Sequence, residues 1–450
     1  MSGREPLVHA PRPPLALLLR DVRALDPRSG IDARHDIRVR AGTIAELAAP
    51  GTLAPDAEEE LIEGEGRLLA LPAFFDPHVH LRTPGQEHKE DLDSGTRAAA
   101  AGGFAGVIAM PNTDPVLDSA PLLRSVRDAA AREAHVAVGF LAAITRGLEG
   151  EQLTEMAELR LQGALGFSDD GRPVQSAGML RKALQYQRLC GGVLALHEED
   201  PTLSRGGSMH EGTVSAALGI GGIPTVAEST MVARDAALAG YEDARVHFQH
   251  LSCAASVDAV ADAKARGFRV SAEVTPHHLL LTDEDVRGLD TRMKMHPPLT
   301  DEADRVALIE GLRAGTIDCV ATDHAPHARD EKEVPFEQAP MGTTGLETAF
   351  AALYSGLVLP GTLTLELLVA RMTAGAGLFG LATPTIAPGA QADLALIDLD
   401  AEFIAGEHGW QSRSENCCFA ARRLRGRVLL TLVAGAEAHR DRATAAAGAA

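Results

Sequence analysis

Imidazole and carboxylate side chains stand at the ends of several short apolar segments of the chain. The first of these segments closes with Asp76-Pro77-His78-Val79-His80, and alternation along a strand puts both histidines on the same face. Later segments end on, or run into, residues of the same kinds: His197, His250, Asp323 and the pair Asp169-Asp170. Four imidazoles with two carboxylates are a typical donor set for a zinc pair. A single histidine at a strand end is more often a packing or hydrogen-bonding group than a ligand, so the metal centre is predicted from all of these residues together.

The segments that must position these side chains alternate with segments of helical period. Eight apolar runs follow one another along the chain: Ala73–His80, Gly106–Met110, Val136–Phe140, Ala164–Phe167, Gly192–His197, Arg245–His250, Phe268–Val274 and Ile317–Asp323. Four intervening segments carry apolar residues three to four positions apart: Pro121–Glu133, Thr154–Gln162, Thr225–Leu238 and Ala303–Ala314. This α/β pattern, over about 250 residues, predicts a (β/α)8 TIM barrel with its chemistry at the carboxyl ends of the strands.

Two further segments, one at each end of the chain, look like β-structure. Strand-like runs occur at Leu15–Leu19, Asp36–Ile44, Ala392–Leu399 and Leu424–Val433. Neither end has enough strands to bury a core alone, so we expect both ends to form one small β-sandwich. The predicted division is residues 1–71 and 379–450 for the sandwich and residues 72–378 for the barrel. We expect the Ala-rich stretch from Arg440 to Ala450 to be a frayed tail.

The composition excludes several classes of partner. The 450 residues include 42 Lys and Arg against 62 Asp and Glu, a formal net charge of -20. Such a chain has no general attraction to phosphate backbones or anionic lipid, so neither nucleic acid nor membrane is an expected partner. The five cysteines form no C-x-x-C pair, so neither a disulfide framework nor a cysteine zinc site is indicated. No signal peptide or membrane-spanning segment is evident, and a cytoplasmic location is expected.

Other histidines do not share the pattern of the strand ends. His277 and His278 follow the seventh apolar run and could either line the barrel mouth or be structural. His247 lies on the strand face opposite His250, and we expect it to pack outside the barrel lumen.

Several motifs resemble the class I dihydroorotases of the metal-dependent amidohydrolase superfamily. The segment Asp76–Arg82 is similar to the signature of cyclic-amide hydrolases. Further similar stretches span the barrel: Gln86–Glu90, Met110–Thr113, Phe167–Gly171, His197–Asp200, Lys294–Met295, Asp323–His327 and Gly345–Thr348. The flanking segments resemble the β-sandwich of the same family, so the resemblance covers nearly the whole chain.

The resemblance implies a metal-ligand set, residue by residue. His78, His80 and Asp323 would hold one ion, and His197 and His250 the other. The fourth strand offers no lysine to bridge the ions, and the resemblance assigns that place to Asp170 rather than Asp169. Asp323 would also act as the catalytic base. The expected cofactor is zinc, one or two ions per subunit, with two favoured.

The resemblance also implies substrate contacts. Arg82 would pair with a substrate carboxylate, which suits a planar guanidinium. Asn112 would bind the same end of the substrate and His327 the far side, while backbone groups of Pro340 and Gly342 would read the ring amide. The chain departs from the family at His296, where the family has Asn at a substrate contact. Smaller departures are Thr83 in place of Glu and Ala73 in place of Gly.

The activity implied is the reversible, zinc-dependent cyclisation of N-carbamoyl-L-aspartate to L-dihydroorotate in pyrimidine biosynthesis. Two alternatives stay open at this stage. One is another cyclic-amide hydrolase, such as a hydantoinase or allantoinase. The other is a non-catalytic barrel that serves as a scaffold for aspartate carbamoyltransferase, which is also a possible partner of an active enzyme. A homo-oligomer is expected.

Overall fold

The computed structural model describes residues 5–441, which form strands, helices and connecting loops. The strands in chain order are β1 (Leu17–Asp26), β2 (Ile31–Arg40), β3 (Thr43–Ala48), β4 (Glu60–Glu63), β5 (Leu69–Pro72), β6 (Phe74–Val79), β7 (Phe104–Ala109), β8 (Ala137–Ala142), β9 (Gly166–Phe167), β10 (Leu194–Leu196), β11 (Met209–His210), β12 (Gly222–Ile223), β13 (Val246–Phe248), β14 (Val270–Val274), β15 (Cys319–Val320), β16 (Leu394–Ile404), β17 (Arg423–Val433) and β18 (Ala436–Arg440). Short 3-10 segments lie at Arg146–Leu148, Asp283–Gly288 and Thr291–Met293, and a π-helical turn lies at Tyr354–Val358.

The helices lie between and after the barrel strands. In chain order they are α1 (Leu92–Ala101), α2 (Ala120–Glu133), α3 (Met156–Leu161), α4 (Ala177–Cys190), α5 (Pro201–Ser204), α6 (Thr213–Leu218), α7 (Val226–Glu242), α8 (Ala254–Ala265), α9 (Pro276–Leu280), α10 (Glu302–Ala314), α11 (Arg329–Lys332), α12 (Ala349–Leu353), α13 (Leu365–Thr373) and α14 (Gly375–Leu378). Among residues 5–441, no helix is both long enough and apolar enough to cross a membrane.

Eight parallel strands form the predicted barrel. Their order is β6-β7-β8-β9-β10-β13-β14-β15, and a parallel bridge from Val79 to His324 closes the ring. Strand β7 is buried along its whole length, as expected of a strand covered on both faces. The apolar side chains of Phe75, Ile108 and Leu141, from three neighbouring barrel strands, pack together in one buried cluster. The fold class predicted from the alternation of strands and helices is therefore confirmed.

Local sequence signals explain the helices that surround the barrel. Helix α10 begins after Asp301, whose side chain accepts a hydrogen bond from the Asp304 amide at 3.0 Å, and it ends at Gly315 with φ of 85°. Helix α2 buries Leu123 and Val126, which lie on the face turned toward the barrel. All four helices predicted from periodicity are present, with ends shifted by a few residues.

The two ends of the chain form a second, mainly antiparallel sheet. Its order is β18-β17-β16-β5-β1-β2-β3, with β4 beside β1, so strands from the two ends meet where β5 pairs with β16. Side chains from both ends pack into one apolar cluster that includes Leu19, Val39, Leu394 and Leu432. The predicted union of the two termini is therefore confirmed. The boundaries at residues 71 and 378 stay a prediction.

Two details of this sheet differ from the sequence prediction. The run predicted as one strand over 36–44 is divided by a turn at Ala41 and Gly42, because both residues have positive φ and the chain reverses there into β3. A Cβ at Gly42 would lie 2.9 Å from the Ala434 carbonyl oxygen, so glycine fits this turn. Strand β18 continues to Arg440, where the sequence predicted the beginning of a frayed tail. The rest of that predicted tail, residues 442–450, lies outside the described residues.

Candidate metal centre and active site

Two histidines and two carboxylates meet at the carboxyl end of the barrel. His80 Nε2 lies 3.0 Å from Asp323 Oδ1, and His78 Nε2 lies 3.5 Å from the same oxygen. The Nε2 atom of each histidine also lies 3.6 Å from an oxygen of Asp170. All four side chains are buried, so these nitrogen and oxygen atoms surround one small space that is shielded from water.

The other two predicted ligands lie on the far side of Asp170. His197 Nδ1 is 2.9 Å from His250 Nε2 and 3.7 Å from Asp170 Oδ1. His250 Nε2 is 3.9 Å from that same oxygen. The Asp170 carboxylate therefore faces both pairs of histidines, which is the position that a bridging ligand would need.

The neighbouring Asp169 points away from this centre. Its carboxylate accepts backbone hydrogen bonds from Ile144 at 2.8 Å and Thr145 at 3.0 Å, and a further one from the Thr145 hydroxyl. Burial raises the pKa of Asp169 to about 6 against these hydrogen bonds. The structure thus brings Asp170 to the histidines and uses Asp169 to hold the loop after β8.

The residues at the centre fit a cation. Among the described residues, the buried His78 Nε2 has no hydrogen-bond partner, although it faces two carboxylates. Burial would lower the pKa of His78, but Glu273, Asp323 and Asp170 outweigh it and raise this pKa to about 10. Burial would likewise raise the pKa of Asp170, yet the facing histidines hold it well below the usual range. This part of the protein favours positive charge, which a bound metal ion would provide.

Hydrogen bonds to the outer ring nitrogens fix how the histidines are presented. His78 Nδ1 donates to Glu273 Oε1 at 2.6 Å, and His80 Nδ1 donates to Asn112 Oδ1 at 2.9 Å. In each ring Nδ1 therefore carries a proton, and Nε2 is the nitrogen that faces the centre and would bind an ion in place of its own proton. Partners of this kind orient metal-binding histidines and raise their basicity.

Glu273 is a buried residue that the sequence analysis missed. Its second oxygen accepts a hydrogen bond from His247 Nε2 at 2.9 Å, so the prediction that His247 packs outside the lumen is wrong. The prediction assumed that alternation continues from residue 247 to residue 250. Strand β13 ends at Phe248 and the chain turns sharply at His250, where φ is 33°, so both histidines face inward. Burial would raise the pKa of Glu273, but His78 and His247 lower it to about 2. A charged residue within the otherwise neutral segment Val270–Val274 was the available signal.

The residues predicted to bind the acidic end of the substrate lie beside the centre. Arg82 is only 9% exposed, and burial lowers its pKa although Asp323 and Asp170 oppose this. Its Nε donates to the Pro326 carbonyl at 3.2 Å. Asn112 lies between two predicted ligands, because its Nδ2 donates to Asp170 Oδ2 at 3.0 Å while its Oδ1 accepts from His80.

The remaining predicted substrate contacts already have partners within the protein. His327 Nε2 donates to the Met341 carbonyl at 2.8 Å. The Pro340 carbonyl accepts from Lys332 Nζ at 2.8 Å, and the Gly342 amide donates to the Lys294 carbonyl at 2.8 Å. These hydrogen bonds hold the loop near the site.

Asn416, near the C-terminus, supports this same loop. Its Nδ2 donates to the carbonyls of Ala325 and Gly342, both at 3.1 Å, and its Oδ1 accepts from the His327 amide at 3.1 Å. Nothing in the sequence around Asn416 indicates this role, since the contact depends on how the chain returns to the barrel.

Of the three remaining histidines, His296 lies at the site, whereas His277 and His278 lie beside the segment that carries it. His296 lies at the site with its ring 5.0 Å from that of His197, and it hydrogen-bonds Glu199. His278 Nε2 donates to the Pro297 carbonyl at 3.0 Å, so it supports the segment that carries His296. His277 is buried beside it, and its Nε2 has no partner among the described residues.

Comparisons with known proteins show the family to which the chain belongs. The family described as Dihydro-orotase-like matches residues 66–256. The dihydroorotase of Pelotomaculum thermopropionicum is 44% identical over 429 residues, which are 95% of this chain and 99% of that protein. The dihydroorotase of Anaeromyxobacter dehalogenans strain 2CP-C is 45% identical over 428 residues, with 94% and 98% covered.

Solved structures show the same fold. The L-hydantoinase of Arthrobacter aurescens superposes with a TM-score of 0.84 at 24% identity and covers 95% of this chain and 96% of its own. The D-hydantoinase of a Thermus species has a TM-score of 0.80 at 25% identity, with 94% and 95% covered. The shared architecture thus extends over nearly the whole chain.

Proposed function

This chain belongs to the dihydroorotase family and is a cyclic-amide hydrolase, and we propose that it interconverts N-carbamoyl-L-aspartate and L-dihydroorotate in pyrimidine biosynthesis. The observation that carries the proposal is the buried Arg82 guanidinium beside the space enclosed by His78, His80, Asp170 and Asp323. A ring that carries a carboxylate can pair with this guanidinium while its amide carbonyl reaches the centre.

The proposal includes zinc, one or two ions per subunit with two favoured. His78, His80 and Asp323 would hold one ion, His197 and His250 the other, and Asp170 would reach both. Zinc held in this way lowers the pKa of water to about 7 and withdraws electrons from a carbonyl, so it supplies both a nucleophile and an electrophile.

Asp323 would transfer the proton during ring opening. Burial would raise its pKa, but His78 and His80 hold this pKa far below the usual range, so the group is a carboxylate that can accept a proton. It would take the proton of the attacking water and deliver it to the ring nitrogen as the carbon–nitrogen bond breaks. In ring closure Asp323 would pass the proton of the attacking nitrogen to the departing carboxylate oxygen, and a second proton taken up from solvent would let that oxygen leave as water.

Other side chains would position the substrate. Arg82 would hold its carboxylate, Asn112 would support both that end and the ligands, and His327 would contact the far side. Pro340 and Gly342 would shape the wall that faces the ring amide, and His296 would replace the contact that Asn makes in relatives. Burial of Arg82 and His327 would keep water away from their part of the site.

The comparisons do not favour the alternatives. Both relatives quoted above are named dihydroorotases at more than 40% identity, whereas the hydantoinases share the fold at 24% and 25% identity. No comparison supports association with aspartate carbamoyltransferase. The proposal therefore keeps a small-molecule substrate, a homo-oligomer and a cytoplasmic location, and leaves the scaffold role out.

Removal of zinc and removal of the carboxylate contact together test the function. Chelation should abolish dihydroorotate hydrolysis, and added zinc should restore it. The wild type should prefer dihydroorotate over dihydrouracil, the same ring without the carboxylate. Because an unpaired buried guanidinium costs about 2 to 5 kcal/mol, the preference in kcat/KM should be roughly 30-fold to several thousand-fold.

The variant Arg82→Ala shows whether this preference comes from the predicted contact. It should lower the rate on dihydroorotate and leave the poor rate on dihydrouracil nearly unchanged. Equal rates on both rings in the wild type would favour the hydantoinase-like alternative. Full activity in a metal-free preparation would exclude the metal-dependent mechanism.

A further inference from the structure

A second group of metal-binding side chains lies behind His197, on the side away from the centre described above. His197 uses Nδ1 to face His250 and Asp170, so its Nε2 points in the other direction. That nitrogen lies 3.8 Å from Glu199 Oε2. His296 Nε2 contacts the same Glu199 oxygen. One candidate ligand atom from each of these three residues lies within 4.8 Å of the others.

We propose that Glu199, His296 and Nε2 of His197 form an auxiliary zinc site whose occupation inhibits the enzyme. Two imidazoles and one carboxylate are a known zinc donor set, and such a site leaves a fourth position for water. The ligand atoms differ from those of the main centre, although His197 contributes one nitrogen to each.

The geometry of Glu199 supports a ligand role. Its Oε1 accepts a hydrogen bond from the Ser204 hydroxyl, which turns Oε2 toward the two histidines. The carboxylate and both rings are thus oriented toward one point, and their polar atoms need little movement to receive a cation.

A cation can reach this group from solvent. Glu199 and His296 line a cavity of about 730 Å³, and the same cavity wall carries Glu149 and Glu151 against a single basic residue, Arg172. The excess of carboxylates attracts divalent cations and disfavours anions. The Glu199 side chain is 12% exposed and that of His296 30% exposed, so neither has to become uncovered before an ion binds.

Occupation of this site has a consequence for activity. An ion bound to His296 takes the ring nitrogen that would otherwise contact the substrate. It also replaces the proton on His197 Nε2, which is released to solvent, so the ring becomes shared by both sites. Zinc in excess of the main centre therefore inhibits, while zinc at the main centre activates. The inhibition rests on the proposed function, in which His296 contacts the substrate, whereas zinc binding at the auxiliary site does not depend on it, and the test separates the two.

The test compares zinc content in four proteins dialysed against micromolar free zinc: the wild type, His296→Asn, Glu199→Gln and His408→Asn. Asparagine is the residue that the resemblance gives for position 296, so the first variant suits the fold. His408 is a matched control, because it is an exposed histidine whose Nε2 lies 3.4 Å from Glu407 without a third ligand. We expect the wild type and His408→Asn to bind one zinc ion more per chain than the other two variants.

Activity under rising free zinc gives a second measurement. Wild type and His408→Asn should lose activity as the extra ion binds, whereas His296→Asn should resist this loss. Equal zinc content in wild type and His296→Asn, or an equal loss of activity in these two proteins, would overturn the proposal. Zinc that is absent even from the main centre would contradict the proposed function instead, and the difference between wild type and His296→Asn would still decide the auxiliary site.

Discussion

The choice between two adjacent carboxylates is decided by where each one points. Asp170 faces four histidines, while Asp169 accepts three hydrogen bonds from Ile144 and Thr145. Asp170→Ala should therefore lose most bound metal and most activity, with little change in melting temperature of the metal-free protein. Asp169→Ala should retain metal better but lower stability by roughly 1 to 3 kcal/mol, because it leaves buried donors unpaired. Metal analysis and thermal unfolding measure both effects. The reverse ranking in metal content would show that the assignment of the pair is wrong.

Glu273 acts on the centre through His78 and does not face the substrate. Its carboxylate fixes the proton on His78 Nδ1 and balances the charge of the ring. Glu273→Gln keeps the shape but removes the charge, so metal affinity should fall about 10- to 100-fold while KM for substrate in zinc-saturated enzyme changes little. Zinc competition against a chelator measures the affinity. An unchanged affinity, or an effect confined to KM, would contradict this role.

The sequence indicates the proposed ligand residues more clearly than the residues that support them. His78 and His80 are recognisable because strand alternation and metal chemistry both act within a few positions. Glu273 contacts His78, which lies 195 positions earlier in the sequence. Asn416 contacts Ala325, which lies 91 positions earlier. Contacts at such separations depend on how strands and loops meet, and no local pattern records them.

At the scale of elements, strand position is predictable from the sequence and strand length is not. All eight apolar runs overlap a barrel strand. In the run Arg245–His250 only Val246–Phe248 is strand, because the chain leaves the sheet before His250, which turns toward the centre. Likewise the run over 36–44 contains a turn at Ala41 and Gly42. The sequence does not indicate this turn, because the alternation of apolar residues continues on both sides of it. Functional ends and tight turns are therefore where periodicity misplaces the boundaries.

Helix α11 supplies a buried lysine that supports the loop near the site. Lys332 Nζ donates to the carbonyls of Thr291 at 3.0 Å and Pro340 at 2.8 Å. Burial and the nearby Lys294 lower its pKa to about 7 from 10.5. Between these two values the unfolded chain binds a proton that the folded protein has released, so the free energy of unfolding should rise with pH.

Lys332→Met should remove this contribution. Between pH of about 7 and about 10, the free energy of unfolding of this variant should rise less steeply with pH than that of wild type. The two slopes should differ by roughly 1 kcal/mol per pH unit. Denaturant unfolding at several pH values measures the slope. Lys182→Met, at an exposed position of α4, is the matched control and should keep the wild-type slope. Parallel slopes for wild type and Lys332→Met would show that the buried amine does not titrate in this range.

At the scale of the whole molecule, the chain must return to its beginning before the site is complete. Strand β16 pairs with β5, and the same C-terminal part carries Asn416 to the loop with Gly342. Thr431 in β17 donates to the Ala100 carbonyl of α1 at 2.7 Å, which ties the terminal sheet to the barrel. Sequence alone predicts that the two ends pair, because neither can bury a core by itself. It does not predict that this pairing also supports the active-site loop.

The net charge of the molecule opposes the arrival of its proposed substrates. The chain carries -20, dihydroorotate carries one carboxylate, and N-carbamoyl-L-aspartate carries two. The repulsion acts over a Debye length of about 30 Å at 0.01 M salt and about 10 Å at 0.1 M. In the proposed function Arg82 would attract the carboxylate only at short range and within a buried site, where salt screens much less. Added salt should therefore weaken the long-range repulsion more than the local pairing.

Because the repulsion acts at long range and the pairing at short range, added salt should change kcat/KM in a predictable direction. Raising sodium chloride from about 0.01 to about 0.1 M should increase kcat/KM by a few-fold for N-carbamoyl-L-aspartate and by less for dihydroorotate. The rate on neutral dihydrouracil should stay nearly constant, which separates charge screening from a general effect of salt on the enzyme. Initial rates at low substrate concentration, with free zinc held fixed, measure all three. A fall in kcat/KM that grows with substrate charge would mean that attraction near Arg82 and the metal centre controls association, and that repulsion by the net charge of the whole molecule does not.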